Sequence, residues 1–180
     1  PRHADPVVQG VQDHLNRLCE RHDARLAAIR TPEQLRAELD ASRKRLLKLL
    51  DLDLEKKRSA PRVRVVGSQK YPGYTIERVV VETGPGVPVP CNVYVPAGGG
   101  ARKPALLVPH GHSGRDRPVY LNGYQRLAKA GFVVLAKDGW GKQERRATGH
   151  GPEGGQLFLT GGSLMALELW DNVRLVDYLL

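Results

Sequence analysis

The sequence predicts an α/β protein with a mostly parallel central sheet, entered through antiparallel strands and preceded by a helical hairpin. Three observations predict it. Residues 62–96 alternate with period two and are rich in β-branched side chains. Two wholly apolar runs, in "ALLVPHG" (105–111) and "FVVLAKD" (132–138), flank one helix-length segment, the arrangement of a strand–helix–strand unit. In the first 60 positions, apolar residues recur instead at helical spacing.

In chain order, Asp5-Pro6 opens the first helix, with an acceptor at the cap and proline at the first helical position. Val8, Val11, Leu15, Leu18, Leu26 and Ile29 follow at helical spacing. Thr31-Pro-Glu-Gln34 opens a second helix with capping-box spacing, and Leu35, Leu39, Leu46, Leu47 and Leu50 form its predicted buried stripe. His14 and His22 read as surface residues. "RVRVVGSQ", "YTIERVVVET" and "VPCNVYVP" read as three strands, the last two joined at Gly84-Pro-Gly86. The loop "GGGARKP" leads to "ALLVPHG", a strand expected to be buried on both faces. Pro118 to Ala130 reads as a helix closed by Gly131, and "FVVLAKD" as a second buried strand. Gly139 to Gly162 is predicted as a glycine-rich loop long enough to serve a function. Ser163 to Leu180 is a last helix, with Leu167, Trp170, Val173 and Leu179 as buried candidates. Asp171 and Arg174, three apart, are expected to pair on its surface. The expected division is 1–60, amphipathic helices, and 61–180, an α/β unit.

Composition narrows the function. At 41% hydrophobic and 26% charged, the 180 residues are an ordinary globular mixture able to bury a core. The net charge of +9 invites nucleic acid, yet between Cys19 and Arg58 the basic residues are interleaved with acids, as on solvated helix faces. No helix-turn-helix, zinc finger or aromatic RNA-binding strand is present, so no nucleic-acid partner is expected. No apolar run reaches the ~18–20 residues of a membrane span, so no membrane partner is expected either. "PRHADPVVQG" does not read as a signal peptide; a secreted or periplasmic chain with its leader removed and a cytoplasmic one both fit. Cys19 and Cys91 are too few for a disulfide framework and read as two thiols.

The chemistry concentrates in "HGHSG", His110 to Gly114. His110 and His112 could share a metal ion, because alternate strand residues lie on one face, with His150 or Asp138 completing the set. Against this, Gly111 and Gly114 break the extended geometry, and no further cluster has ligand spacing. A phosphate cradle would need a glycine-rich signature that neither this turn nor "GWGKQERR" carries. The third reading is an oxyanion turn: glycine lets the backbone approach a substrate carbonyl, and the N–H of His112 points at the developing charge. No metal or other cofactor is then needed.

The ordered set "ALLVPHGHSG", helix, "GFVVLAKDGWG", "GGSLMALELWDNVRLVDYLL" resembles the first half of an α/β-hydrolase. It is similar in particular to the bacterial acetyl xylan esterase, cephalosporin deacetylase and dienelactone hydrolase-like group. The resemblance runs from Tyr74 to Leu180. It implies a partial α/β-hydrolase fold, an oxyanion donor at the His112 amide with Gly111 and His110 shaping the turn, and a substrate-facing turn at Asp138, Gly139 and Trp140. An aromatic face such as Trp140's suits an acyl or sugar group.

The departure from that pattern is large. The family's nucleophile elbow follows the last helix, and its acid and histidine come later. Ser163 is no substitute, because Met165 occupies the place where an elbow needs a small residue; it reads as a helix-start residue. The last helix also reaches Leu180 without a capping glycine. The expectation is therefore a fragment of a serine-type carboxylic-ester hydrolase, inactive alone, acting when whole on a small or carbohydrate ester, with the missing C-terminal half as its partner. The alternatives are a non-catalytic α/β binding or scaffold module, and a zinc-dependent hydrolase using His110 and His112.

Overall fold

The computed structural model describes residues 5–98, 100, 102–109, 121–146 and 149–180, with the side chain of His150 outside that set. The chain forms two compact units, residues 1–49 and 50–180.

The first unit holds α1 (Pro6–Ala27) and α2 (Pro32–Leu49). Both starts follow the sequence. The Asp5 carboxylate accepts the Val7 N–H at 2.8 Å. Thr31 Oγ1 accepts from Gln34 N at 3.3 Å while Gln34 Oε1 accepts from Thr31 N at 3.2 Å, a reciprocal capping box. Glu38 gathers Ser42, Arg45 and Arg25, the last two at 2.8 and 3.3 Å, and these partners, Ser42 first, hold its carboxyl below the usual range. The expected buried stripe is corrected here. Neither helix buries a residue; Val8, Val11, Leu15, Leu35, Leu39 and Leu46 are exposed, and Leu47 and Leu50 are half-buried. Two helices alone supply no second layer to enclose such a stripe.

The second unit is built on a mixed sheet in the order β1-β2-β3-β5-β4: β1 (Arg62–Tyr71), β2 (Tyr74–Gly84), β3 (Val87–Pro96), β4 (Ala105–Val108) and β5 (Val133–Lys137). The first three strands and β5 pair antiparallel; β4 and β5, linked through α3 (Leu121–Lys129), pair parallel. The expected parallel character is confined to that end of the described sheet. The register keeps odd residues on one face from β2 to β4. Val79, Val81, Val89, Cys91, Val93 and Leu135 pack there against Leu175 of α5 (Leu164–Leu179). Tyr74, Tyr94, Val134 and Ala136 pack on the other face against Tyr124 and Ala128 of α3. Strand residues alternate between faces, so α3 and α5 cover opposite sides of the sheet. On the α3 side Tyr71, Tyr74, Tyr94 and Tyr124 form a run of rings with centroids 5.2, 6.3 and 5.4 Å apart.

Several boundaries differ from expectation. β4 is half-buried rather than enclosed, because it is the last strand of the described sheet. The start of the helix expected at Pro118 lies outside the described residues, and α3 ends as expected before Gly131, whose φ is +99°. The predicted loop from Gly139 to Gly162 contains a 3₁₀ turn at Gln143–Arg145 and a further helix, α4 (His150–Leu159). Gly151, Gly154 and Gly155 hide α4 from a propensity reading; Glu153 helps start it by accepting the Gly149 N–H at 3.3 Å. In α5 the buried residues are Asp171, Arg174 and Leu175, while Leu167, Trp170, Val173 and Leu179 are half-buried. Among the described residues no helix is long and apolar enough to cross a membrane.

The segment leading into β1 is fastened to α5 by charge. Asp177 accepts from Arg58 Nε at 2.9 Å and from Arg174 Nη1 at 2.5 Å, and Arg174 Nη2 reaches the Ser59 carbonyl at 2.6 Å. The Arg58 hydrogen bond foremost, then the charges of Arg58 and Arg174, hold the Asp177 carboxyl below its ordinary value against the opposing effect of desolvation. A lowered folded-state pKa means that Asp177 stabilises the fold above the unfolded value, about 4, and that this contribution is lost as pH falls through the folded value. Asp177→Asn should therefore melt below the parent at neutral pH, by a margin that is constant above about pH 5 and shrinks in acid. Thermal unfolding as a function of pH checks this; a margin independent of pH down to the acid limb would contradict it.

Candidate functional site

The sheet end where β5 stops is the best-organised polar region among the described residues. β5 runs apolar until Lys137 and Asp138, both buried. A cation at the end of a buried strand needs a partner, and Lys137 Nζ meets Glu168 Oε2 of α5. The other oxygen of Glu168 accepts the Trp140 N–H at 2.6 Å. One turn along α5, Asp171 accepts from the Thr83 hydroxyl of β2 at 2.6 Å and from Arg145 Nη1 at 2.6 Å. The side chains of Arg145 and Asp171 are only 5% and 2% exposed. Arg145 also donates to the Asp138 carbonyl at 3.2 Å and stacks 4.1 Å over the Trp140 ring. Asp138 Oδ2 accepts the Glu144 N–H at 3.4 Å, and the Gly139 carbonyl accepts Lys142 N at 3.2 Å. The turn 139–146 is thus held from three sides: by its own strand, by two carboxylates of α5, and by the Arg145 stack on Trp140.

These partners share a geometric origin. Glu168, Asp171, Arg174 and Asp177 recur every three residues and form one ridge on α5, laid against the sheet. The expected Asp171–Arg174 pair on the helix surface is corrected: both are buried, Asp171 serving Thr83 and Arg145, and Arg174 serving Asp177 and Ser59. Lys137, Arg145, Glu168 and Thr83 were not foreseen. A charged residue closing an apolar strand and the three-residue spacing of charge on the last helix are the signals that point to them.

Of the residues singled out from sequence, His110, Gly111 and His112 lie outside the described residues. Asp138, Gly139 and Trp140 come together in the clamped turn; Asp138 is fully buried, and Gly139 and Trp140 are half-buried. Ser163 caps α5, its hydroxyl accepting Ala166 N at 3.4 Å. Cys19 is exposed and Cys91 buried, and neither forms a disulfide among the described residues. Among the described residues no group of three His, Cys, Asp or Glu side chains is placed to hold a metal. What these residues build is a frame in which Lys137 faces Glu168 and Arg145 faces Asp171.

A second polar feature shares that end of the sheet. Asp138 N donates to the Pro90 carbonyl, so β3 continues past the end of β5, and β2 pairs with it out to Gly84. Beyond Thr83 lies a cleft lined by Trp170, Arg174 and the segment 56–62.

Solved structures with a similar fold include a putative acetyl xylan esterase from Bacteroides fragilis and methylesterase BT1017. The first is 14% identical with a TM-score of 0.71, over 83% of this chain and 44% of that one. The second is 23% identical with a TM-score of 0.66, over 84% of this chain and 34% of that one. The likeness is one of fold, and the chain spans less than half the length of either neighbour. No family model and no curated protein sequence matches the chain.

The frame makes a stability prediction. Asp171→Ala leaves a buried guanidinium without its anion and should cost about 3–5 kcal/mol, whereas Thr83→Val, which takes one donor from the buried Asp171 carboxylate, should cost about 1.5–3 kcal/mol. Chemical denaturation measures both. Limited trypsin digestion should cut Asp171→Ala within 142–146 well before the parent; a loss under about 1 kcal/mol with an unchanged digest would refute the role given to Asp171.

Proposed function

We propose that this chain is the first part of a serine-type carboxylic-ester hydrolase of the α/β-hydrolase kind, acting on a small acyl ester, with an acetylated carbohydrate as the leading substrate. The observation that carries the proposal is the fold likeness to two proteins that are both described as esterases. The ordered motifs of Tyr74 to Leu180 and the clamped turn at the end of β5 support it. In this reading the nucleophile, its histidine and its acid belong to the remainder of the protein. That remainder continues the sheet beyond β4 and covers the apolar surface of Val95, Leu107, Val133 and Leu179. The serine attacks the ester carbonyl as the histidine takes its proton; the histidine passes that proton to the alcohol as the ester C–O bond breaks, and water then releases the acyl group as the free acid. The His112 N–H supplies one donor to the oxyanion, with Gly111 giving clearance and His110 shaping the turn. Asp138 fixes the loop, so that Gly139 and Trp140 form a wall of the acyl or sugar pocket.

The full-length protein should hydrolyse short-chain 4-nitrophenyl esters and be labelled by a fluorophosphonate. Absence of both would favour the non-catalytic scaffold reading. In the same protein, Gly111→Val should lower kcat by about 10²–10³-fold, the cost of losing one oxyanion donor. His112→Gln keeps the amide and should stay within about tenfold of the parent. A zinc-dependent hydrolase gives the opposite ranking, with activity lost on His110 or His112 replacement and on chelation. Turnover of these variants with and without chelator decides between them.

A further inference from the structure

The cleft at the end of β2 is assigned no part in the chemistry above. We propose that it is a binding subsite for an acidic carbohydrate chain, one that carries carboxylate or sulfate groups. The carbohydrate class rests on the ester-hydrolase reading; the preference for an anion rests on the cleft alone.

The cleft is about 430 Å³ and presents Lys56, Lys57, Arg58, Arg62, Arg174 and Trp170. Glu82 is the one carboxylate among its described lining residues, and it faces Arg62 at 3.7 Å. Asp177, behind the wall, is shared by Arg58 and Arg174 and can neutralise only one of them. Lys56 and Lys57 meet no carboxylate at ion-pair distance among the described residues. Glu55 also acts on Arg58 through space, so the cations Lys56, Lys57, Arg58, Arg62 and Arg174 face the carboxylates Glu55, Glu82 and Asp177, and the cleft keeps a net positive charge open to an anionic ligand.

The cations are also pre-arranged. Asp53 Oδ1 accepts the N–H groups of Glu55 and Lys56 at 3.0 and 3.2 Å, and Arg58 Nη1 returns to the Leu54 carbonyl at 2.8 Å. This tight turn inserts Arg58 toward Asp177 and leaves Lys56 and Lys57 exposed at the mouth, so binding has little chain to order. Trp170 donates its indole N–H to the Thr83 carbonyl at 2.9 Å, which fixes the ring as part of the wall. A fixed indole offers an apolar surface for a sugar ring while the ammonium groups take its acidic substituents.

Position links the cleft to the reaction. Asp138 lies level with Pro90, which pairs with Val80, so Thr83 is two strand spacings across and three residues further along, on the order of 14 Å from Asp138, at the same end of the sheet. The chain Thr83–Asp171–Arg145 joins the cleft wall to the turn bearing Trp140. A short oligosaccharide spans that distance, so one chain can lie across both places.

The test is calorimetric titration of the full-length protein with a hexa-uronate and with a neutral hexose oligomer of equal length. The proposal expects binding of the uronate only, weakening with salt and weakened roughly tenfold or more in a Lys56→Glu, Lys57→Glu double variant. Both positions are exposed, and an unchanged melting temperature verifies that the variant folds. Turnover of 4-nitrophenyl acetate should be unaffected, while KM for an esterified oligo-uronate should rise. Equal binding of uronate by parent and variant, or none by the parent, would overturn the subsite. A single-stranded oligonucleotide that binds as tightly and loses affinity in the same variant would overturn the carbohydrate assignment. Uronate binding without any ester hydrolysis would leave the subsite standing and remove the hydrolase reading instead.

Discussion

The Asp171 carboxylate sits between the Thr83 hydroxyl and the Arg145 guanidinium, and the geometry of this end of the molecule depends on that junction. A buried carboxylate is costly unless its oxygens are engaged, and here each oxygen has its own donor from a different element. One donor comes from β2, the other from the turn after β5, and the acceptor from α5. None of the three can move without leaving a buried charged group short of a partner. Glu168 repeats the device one turn earlier, binding Lys137 and the Trp140 amide. Such pairs add little net stability over a well-packed apolar alternative, which the neighbouring core of Val79, Val81, Val89 and Leu175 could have extended. What they add is register: an apolar helix face can slide on a sheet, whereas this ridge fits one position.

How much of this was legible in the sequence follows from the range of each interaction. The strands of 62–96 were readable because period-two alternation is written locally, and that of 133–137 because an unbroken apolar run is; the observed register puts the odd core residues of β2, β3 and β5 on the α5 face. Both helix starts in the first unit were readable because a cap involves residues two or three apart. α4 was not, because its glycines oppose its propensity. The burial of the first two helices was misread because a stripe shows which face is apolar, not whether anything covers it.

The candidate site divides along the same line. The turn Asp138–Gly139–Trp140 was found from local sequence, but its partners lie 26, 31 and 88 residues apart in the pairs Arg145–Asp171, Lys137–Glu168 and Thr83–Asp171. No window on the chain displays such pairs. The misplaced Asp171–Arg174 pairing is instructive: the three-residue rule describes exposed helix faces, where a neighbour is the only partner on offer. Once a face is buried, tertiary partners with better geometry replace the neighbour. Arg174 duly keeps an i, i+3 partner, Asp177, only where α5 returns to a half-buried setting.

The two edges of the sheet are treated differently, and the difference bears on the proposed whole. β1 is a ten-residue edge, exposed along nearly its whole length, and it carries the protections such an edge needs. Arg62, Arg64 and Lys70 charge it, and a bulge between Val65 and Gly67 breaks its ladder. β4, at the opposite end, has none of these. Its four residues Ala105–Val108 are all apolar and half-buried or exposed, and the surface beside them continues through Val133, Val176 and Leu179. Among the described residues the sheet places charge within one edge strand and leaves the other strand itself bare of it, with Arg102 and Lys103 only flanking. In the ester-hydrolase reading the bare edge receives the next strand of the same sheet, and the protected edge faces solvent. The clamped turn after β5 then stands between the cationic cleft on one side and the strands that bring the nucleophile on the other, which is why its rigidity matters more than any bond it makes.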